Sequence, residues 1–329
     1  MKFLLSTHSH YPKIGGTAGE QRLRRAYHQM DRGLMDSSAL VAVLQSVTEQ
    51  VVRDEEAADT DIVTGGLMSW KDPLTRMVEN LEGIEINGLL RFFDTNFYFR
   101  QPVIVGKIAA LRPIFVDEAR HLQGLTNRVV KVVMTGPYTL ARLSKVQTRY
   151  YPDLESVVEA FADILSLELE YLSDIPIQHV QIEEPALVQN PQDLPLVRVA
   201  LEELSRHRGA SQLWLSTYFG DCSSLYDAFQ SLPVQYLLMD MTYSPTLPQI
   251  IREKGTNRTL ALGLIDGRNT KLDSMDKVLG VMDYLSPVLG KEAILTTSSG
   301  LEYLPREKAR EKLQLLKRIR QAWNSEVTP

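Results

Sequence analysis

The sequence predicts a single (β/α)8 TIM barrel spanning residues 1–329, and three observations carry that expectation. Short apolar or β-branched runs recur eight times, longer stretches of helical period separate them, and a proline or glycine follows most of the runs. Alternating βα units build a parallel sheet, and eight of them in about 300 residues suit a closed barrel. A doubly wound sheet is the alternative topology for the same alternation.

The first run is KFLLSTHS (2–9), and a helical stretch at 18–56 follows it as an extra segment after strand one. DIVTGG (61–66) comes second, followed by an insertion around 83–125 that contains RFFDTNFYFRQP. Insertions in βα loops are tolerated and usually shape the site. VVKVVMTG (129–136), HVQIEEP (179–185), QLWLSTYF (212–219), VQYLLMDM (234–241), TLALGLID (259–266) and EAILTTSS (292–299) complete the set. Between them DLESVVEAFADILSLELEYLSD, PLVRVALEELSRH, SMDKVLGVMDYLSPVLG and PREKAREKLQLLKRIRQAW read as helices; the last two place apolar residues at i, i+3 and i+4.

Composition narrows the function classes. The 329 residues are 44% hydrophobic and 23% charged, with a net charge of −5 and no low-complexity linker. Lys and Arg are spread along the chain, so neither a nucleic-acid footprint nor a polybasic membrane patch is expected. A lone Cys222 excludes an internal disulfide and a cysteine-rich zinc module. MKFLL is too short for a secretory signal, and no apolar run approaches the ~20 residues that span a bilayer. A cytoplasmic protein acting on a small molecule is the expectation.

Reactive groups of a barrel sit at the C-terminal ends of its strands. THSHYP places His8 and His10 two apart, hence on one side of strand one, as metal ligands, as a substrate contact or as a polar strand end. Their expected metal is zinc, iron or manganese, completed by Glu183 and Asp240. QIEEPAL ends strand four with Glu183 and Glu184, which point to opposite faces, so only one enters the mouth. MTGPYTLARLS runs strand three through Gly136-Pro137 into a helix whose free N–H groups can hold an anion. Asp240, Asp266-Gly267-Arg268-Asn269 and Ser299-Gly300 put polar groups at the ends of strands six, seven and eight.

YPKIG followed by RLRRA, then VTGGLMSW, DTNFYF, VKVVMTGPYTLARLSKV, HVQIEEPAL, STYFGD, LALGLIDGRN and TTSSGLEYLP together resemble the cobalamin-independent methionine synthase family. The likeness runs nearly the whole length and is closer to the N-terminal barrel of that two-barrel family, here as a stand-alone barrel. It implies methyl transfer from methyl-tetrahydrofolate, or a methyl-corrinoid, to a thiol such as homocysteine, with zinc holding the thiolate. The positions matching the family's zinc ligands are Ser216, Tyr218, Asp240 and Ser299, so at most one ligand remains. The family's catalytic histidine corresponds to Arg268, its amine-binding glutamate to Leu67, and its amine-binding aspartate to Glu183. Glu183, Asp240 and Arg268 are therefore the catalytic candidates.

The resemblance also assigns Lys13, Arg22, Arg24 and Arg25 to a basic segment that holds the acidic folate tail; a solvated helix face is the competing interpretation. Candidate substrate contacts are Lys13, Arg24, Arg25, Trp70, Asp72, Asn96, Tyr218, Asn269 and Ser299, with Trp70, Phe97, Tyr98 and Tyr218 as stacking surfaces. The implied partner is a separate catalytic-half barrel. The alternatives are a repurposed metal enzyme built on His8 and His10, and a non-catalytic folate-binding protein.

Overall fold

A computed structural model describes residues 1–327. In chain order its strands are β1 (Lys2–Leu5), β2 (Ile62–Val63), β3 (Leu81–Arg91), β4 (Tyr98–Ala110), β5 (Val129–Thr135), β6 (Lys145–Val146), β7 (His179–Glu183), β8 (Gln212–Thr217), β9 (Tyr236–Asp240), β10 (Thr259–Ile265) and β11 (Glu292–Thr297). All but β3, β4 and β6 are the eight strands expected from sequence, and they make an eight-stranded sheet of the (β/α)8 class. They are shorter than the apolar runs that announced them, because the last residues of each run turn into the following loop.

Two compact units divide the chain. The first comprises residues 1–69, 121–130 and the chain from Asp240 onward. Here β1 pairs in parallel with β11 from Lys2↔Glu292 to Leu5↔Leu295, and β10 lies on the other side of β11. Ser6 bridges Ile62, and β2 pairs with Val129 and Val130 at the start of β5. The helical stretch after β1 is two helices, Arg22–Asp31 and Ser37–Ala57. The C-terminal helix Arg306–Val327 buries Ala309, Leu313, Leu316, Ile319 and Trp323, spaced three or four apart, and Trp323 meets Phe3 of β1 edge-on at 5.0 Å.

The second unit holds residues 70–120 and 131–239. Its parallel pairs run β5 to β7, β7 to β8 and β8 to β9. Every residue of β7 is buried, as expected when both faces of a parallel sheet are covered. The helix Leu154–Ser173 starts at a capping box on Asp153 and Ser156, which satisfies two otherwise orphaned N–H groups. Its ridge of Val158, Phe161, Leu165, Leu169 and Leu172 is buried, and it packs beside the helix Leu194–His207. Burying Phe161 contributes about 2–3 kcal/mol, and Phe161→Ala would cost about 3–5 kcal/mol.

The insertion of 83–125 is more ordered than the sequence suggested. β3 and β4 form a long antiparallel hairpin, with β6 parallel to β4 at Val103↔Lys145, and the helix Val116–Leu125 follows. Gly83 and Gly88 sit at the register shifts of β3 with φ of 78° and 63°. No described helix is long and apolar enough to cross a membrane.

Candidate functional site

In the first unit, the end of β1 is buried from Ser6 to Tyr11. Glu55, at the end of the helix Ser37–Ala57, holds this segment to the loop after β2. It accepts from the Thr7 hydroxyl at 2.8 Å and from the Thr64 and Gly65 N–H groups at 3.2 and 3.1 Å, while the Thr64 hydroxyl donates to the Ser9 carbonyl at 2.7 Å. Burial raises Glu55 to about 7, against the lowering effect of these donors. His8 Nδ1 lies 2.9 Å from Ser9 Oγ. Burial, and then the charge of Lys13, hold His10 down to about 3, so its ring is neutral.

Asp240 ends β9 as a turn cap: its Oδ1 accepts from Thr242 N at 2.9 Å, Thr242 Oγ1 at 2.6 Å and Tyr243 N at 3.2 Å. Asp266 does the same after β10 for the N–H groups of Arg268 and Asn269, and the Arg268 guanidinium lies over the Tyr243 ring at 5.3 Å. Ser299 is buried, with its hydroxyl 3.1 Å from the Gly300 carbonyl. Arg22, Arg24 and Arg25 are exposed; Arg22 bonds Ser46 Oγ and Arg25 bonds the Ala18 carbonyl.

The second unit assembles a polar chain on three strands. Lys131 Nζ of β5 donates to Gln181 Oε1 at 2.6 Å, Gln181 Nε2 donates to Glu183 Oε1 at 2.9 Å, and Tyr218 Oη, just past β8, donates to Glu183 Oε2 at 2.9 Å. Glu184 turns to the opposite face, as its position next to Glu183 requires. It accepts from the N–H groups of Tyr138 and Thr139 at 3.0 and 2.7 Å, at the start of the helix Pro137–Leu143. Burial raises it to about 7. The helix start that was expected to hold an anion is therefore filled by the protein's own carboxylate. Gly136 is required there, since a Cβ would lie 2.2 Å from the Glu184 carboxyl carbon.

Aromatic side chains border this chain. Phe219, in the left-handed region at φ 65°, stacks edge-on with Tyr218 at 4.7 Å and meets Phe92 and Phe93 of the hairpin tip at 6.3 and 6.1 Å. Other expected contacts do different work. Trp70 is fully buried 5.9 Å from Phe115, so it is core and not a stacking surface. Asp72 is also buried: it caps the helix Thr75–Val78 through Leu74 N and Thr75 N and pairs with Arg100 of β4 at 3.3 Å. Asn96 is exposed at the hairpin tip, Phe97 is half-buried, and Tyr98 is exposed.

The expected metal set divides between the two units, with His8, His10 and Asp240 in the first and Glu183 in the second. Among the described residues no group of three or more His, Cys, Asp or Glu could hold a metal ion. Asp240 is committed to its turn and Glu183 to Gln181 and Tyr218. Ser216, Tyr218 and Ser299 offer neither thiolate nor imidazole, so the zinc implied by the resemblance does not fit these side chains either. Lys131 and Gln181 escaped the sequence reading, although a lysine inside VVKVVMT and a glutamine inside HVQIE were the available signals.

Comparison with known proteins agrees with the fold. The family profile described as cobalamin-independent synthase, N-terminal domain, matches residues 74–289. A Pyrococcus furiosus protein described as methionine synthase is 26% identical over 304 residues, covering 91% of this chain and 88% of that protein. A Ralstonia pickettii 5-methyltetrahydropteroyltriglutamate–homocysteine methyltransferase is 25% identical over 334 residues, covering 90% of this chain but 42% of that longer protein. The solved structure of a B12-independent methionine synthase from Shewanella sp. W3-18-1, in complex with selenomethionine, superposes with a TM-score of 0.81 at 18% identity, covering 99% of both chains.

Proposed function

The chain belongs to the cobalamin-independent synthase N-terminal-domain family, a methionine synthase-like methyltransferase family, and from that premise we propose that it takes part in methyl transfer to the thiol of an amino acid such as homocysteine. The observation that carries the proposal is Glu183, a buried carboxylate fixed at the end of β7 by Gln181 and Tyr218. Donors on both oxygens set the plane in which this carboxylate receives an ammonium group. Tyr218 and Phe219 supply the apolar surface beside it for a sulfur-bearing side chain.

The methyl donor in this proposal is methyl-tetrahydrofolate or a methyl-corrinoid. With the folate, the bond from methyl carbon to nitrogen breaks as the bond to sulfur forms, and the thiol proton ends on the nitrogen. Lys13, Arg24 and Arg25 are the cations for the acidic folate tail, which the exposure of both arginines supports. A separate catalytic barrel is the proposed partner, since the positions matching the family's zinc ligands carry Ser216, Tyr218, Asp240 and Ser299. The match to less than half of the longer Ralstonia protein supports that division. Calorimetric titration with L-homocysteine tests the binding step: saturable binding that Glu183→Gln removes is expected, and equal binding by both proteins would refute the role of Glu183.

A further inference from the structure

Lys131 is 1% exposed, and an ammonium buried without compensation costs several kcal/mol. Its ammonium donates to Gln181 Oε1 at 2.6 Å and lies 4.5 Å from the centre of the Trp214 ring. His179 stands directly opposite it in the β5–β7 register but supplies no countercharge. The His179 Nδ1 accepts from the Trp214 indole N–H at 3.0 Å, and burial, then the charge of Lys131, hold this ring down to about 4. The imidazole is neutral.

The amide of Gln181 is thereby oriented. An ammonium has only donors, so it holds the amide oxygen, and the amide N–H2 must then face Glu183, two residues along the same face of β7. A flipped amide would set two donors against each other at Lys131 and two acceptors at Glu183.

We propose that Lys131 and Gln181 are positioning residues for Glu183: Lys131 locks the Gln181 amide so that the carboxylate always meets an N–H donor and is held in place to receive a ligand's ammonium group. This deepens the function proposed above and rests on its assignment of Glu183 to the ammonium. Tyr218 fixes the second carboxylate oxygen, so the three side chains set both the position and the plane of the acceptor.

Two ligands separate positioning from general support of the fold: L-methionine, and 4-(methylthio)butanoate, the same molecule without the ammonium. Lys131→Met and Gln181→Leu are expected to weaken methionine binding about tenfold, the effect of losing one hydrogen bond to a charged group. Binding of the butanoate should be unchanged. An equal fall for both ligands would overturn the positioning role. The 13C-carboxyl resonance of Glu183 in glutamate-labelled protein, assigned with Glu183→Gln, needs no ligand. It should move in both variants at neutral pH, and an unmoved resonance in both would overturn the proposal. A resonance that moves in a protein that binds no methionine would uphold the positioning and refute the assignment of Glu183 to an amino-acid ligand.

Discussion

Glu184 gives its two oxygens to the N–H groups of Tyr138 and Thr139, at 3.0 and 2.7 Å, while Glu183 one residue earlier faces Gln181 and Tyr218. That split was legible in the sequence, because adjacent residues of a strand face opposite ways. Which glutamate would be structural was not, since the partner N–H groups lie more than forty residues away in the chain. Glu184 is raised from 4.5 to about 7, so the stability it contributes is fully present below its unfolded value and is lost as pH rises through about 7. Glu184→Gln lacks a titrating carboxyl. The difference in melting temperature between it and the wild type should therefore shrink between about pH 5 and about pH 8, which calorimetric scans at each pH would show. Tyr218→Phe leaves Glu183 with one donor fewer and should weaken homocysteine binding about fivefold in a titration, with the melting temperature lowered by a few degrees. Lys131 was missed for a physical reason: fully buried lysines are rare, so a lysine in an apolar run looks like an interruption and not like a member of a site.

The hairpin of β3 and β4 is the element least visible in the sequence. Most of β3 is exposed, so LEGIEINGLLR lacks the buried alternation that marks a strand, and its two glycines are residues that weaken a strand interior. They are the points where the register shifts. A Cβ on Gly83 would lie 2.2 Å from the Lys107 carbonyl oxygen, at a φ of 78° that favours glycine. Gly83→Ala should cost about 2–3 kcal/mol and lower amide-exchange protection along β3 and β4. Asp72 fastens β4 to the start of the helix Thr75–Val78 through Arg100. Asp72→Ala should free the hairpin in the same exchange experiment. Helix ends were easier to place, because Asp153 and Ser274 are acceptors that announce a helix start in the sequence itself.

At the scale of the whole molecule, the eight parallel strands were found because a strand buried on both faces is written as an apolar run, as in β7 and β8. The site was only half legible: strand ends named Glu183, Asp240 and Ser299, but hydrogen bonding decides that Asp240 caps a turn while Glu183 closes a polar chain. Chemistry in this family is methyl transfer, and the function proposed above gives Glu183 the amino-acid acceptor. The direct measurement is methionine formed from homocysteine and methyl-tetrahydrofolate triglutamate, with methylcobalamin as the other donor, using the purified chain alone and together with a separately expressed catalytic barrel of the family. Methionine should form in at least one pairing and disappear with Glu183→Gln. No methionine from either donor, with or without the second barrel, would contradict it.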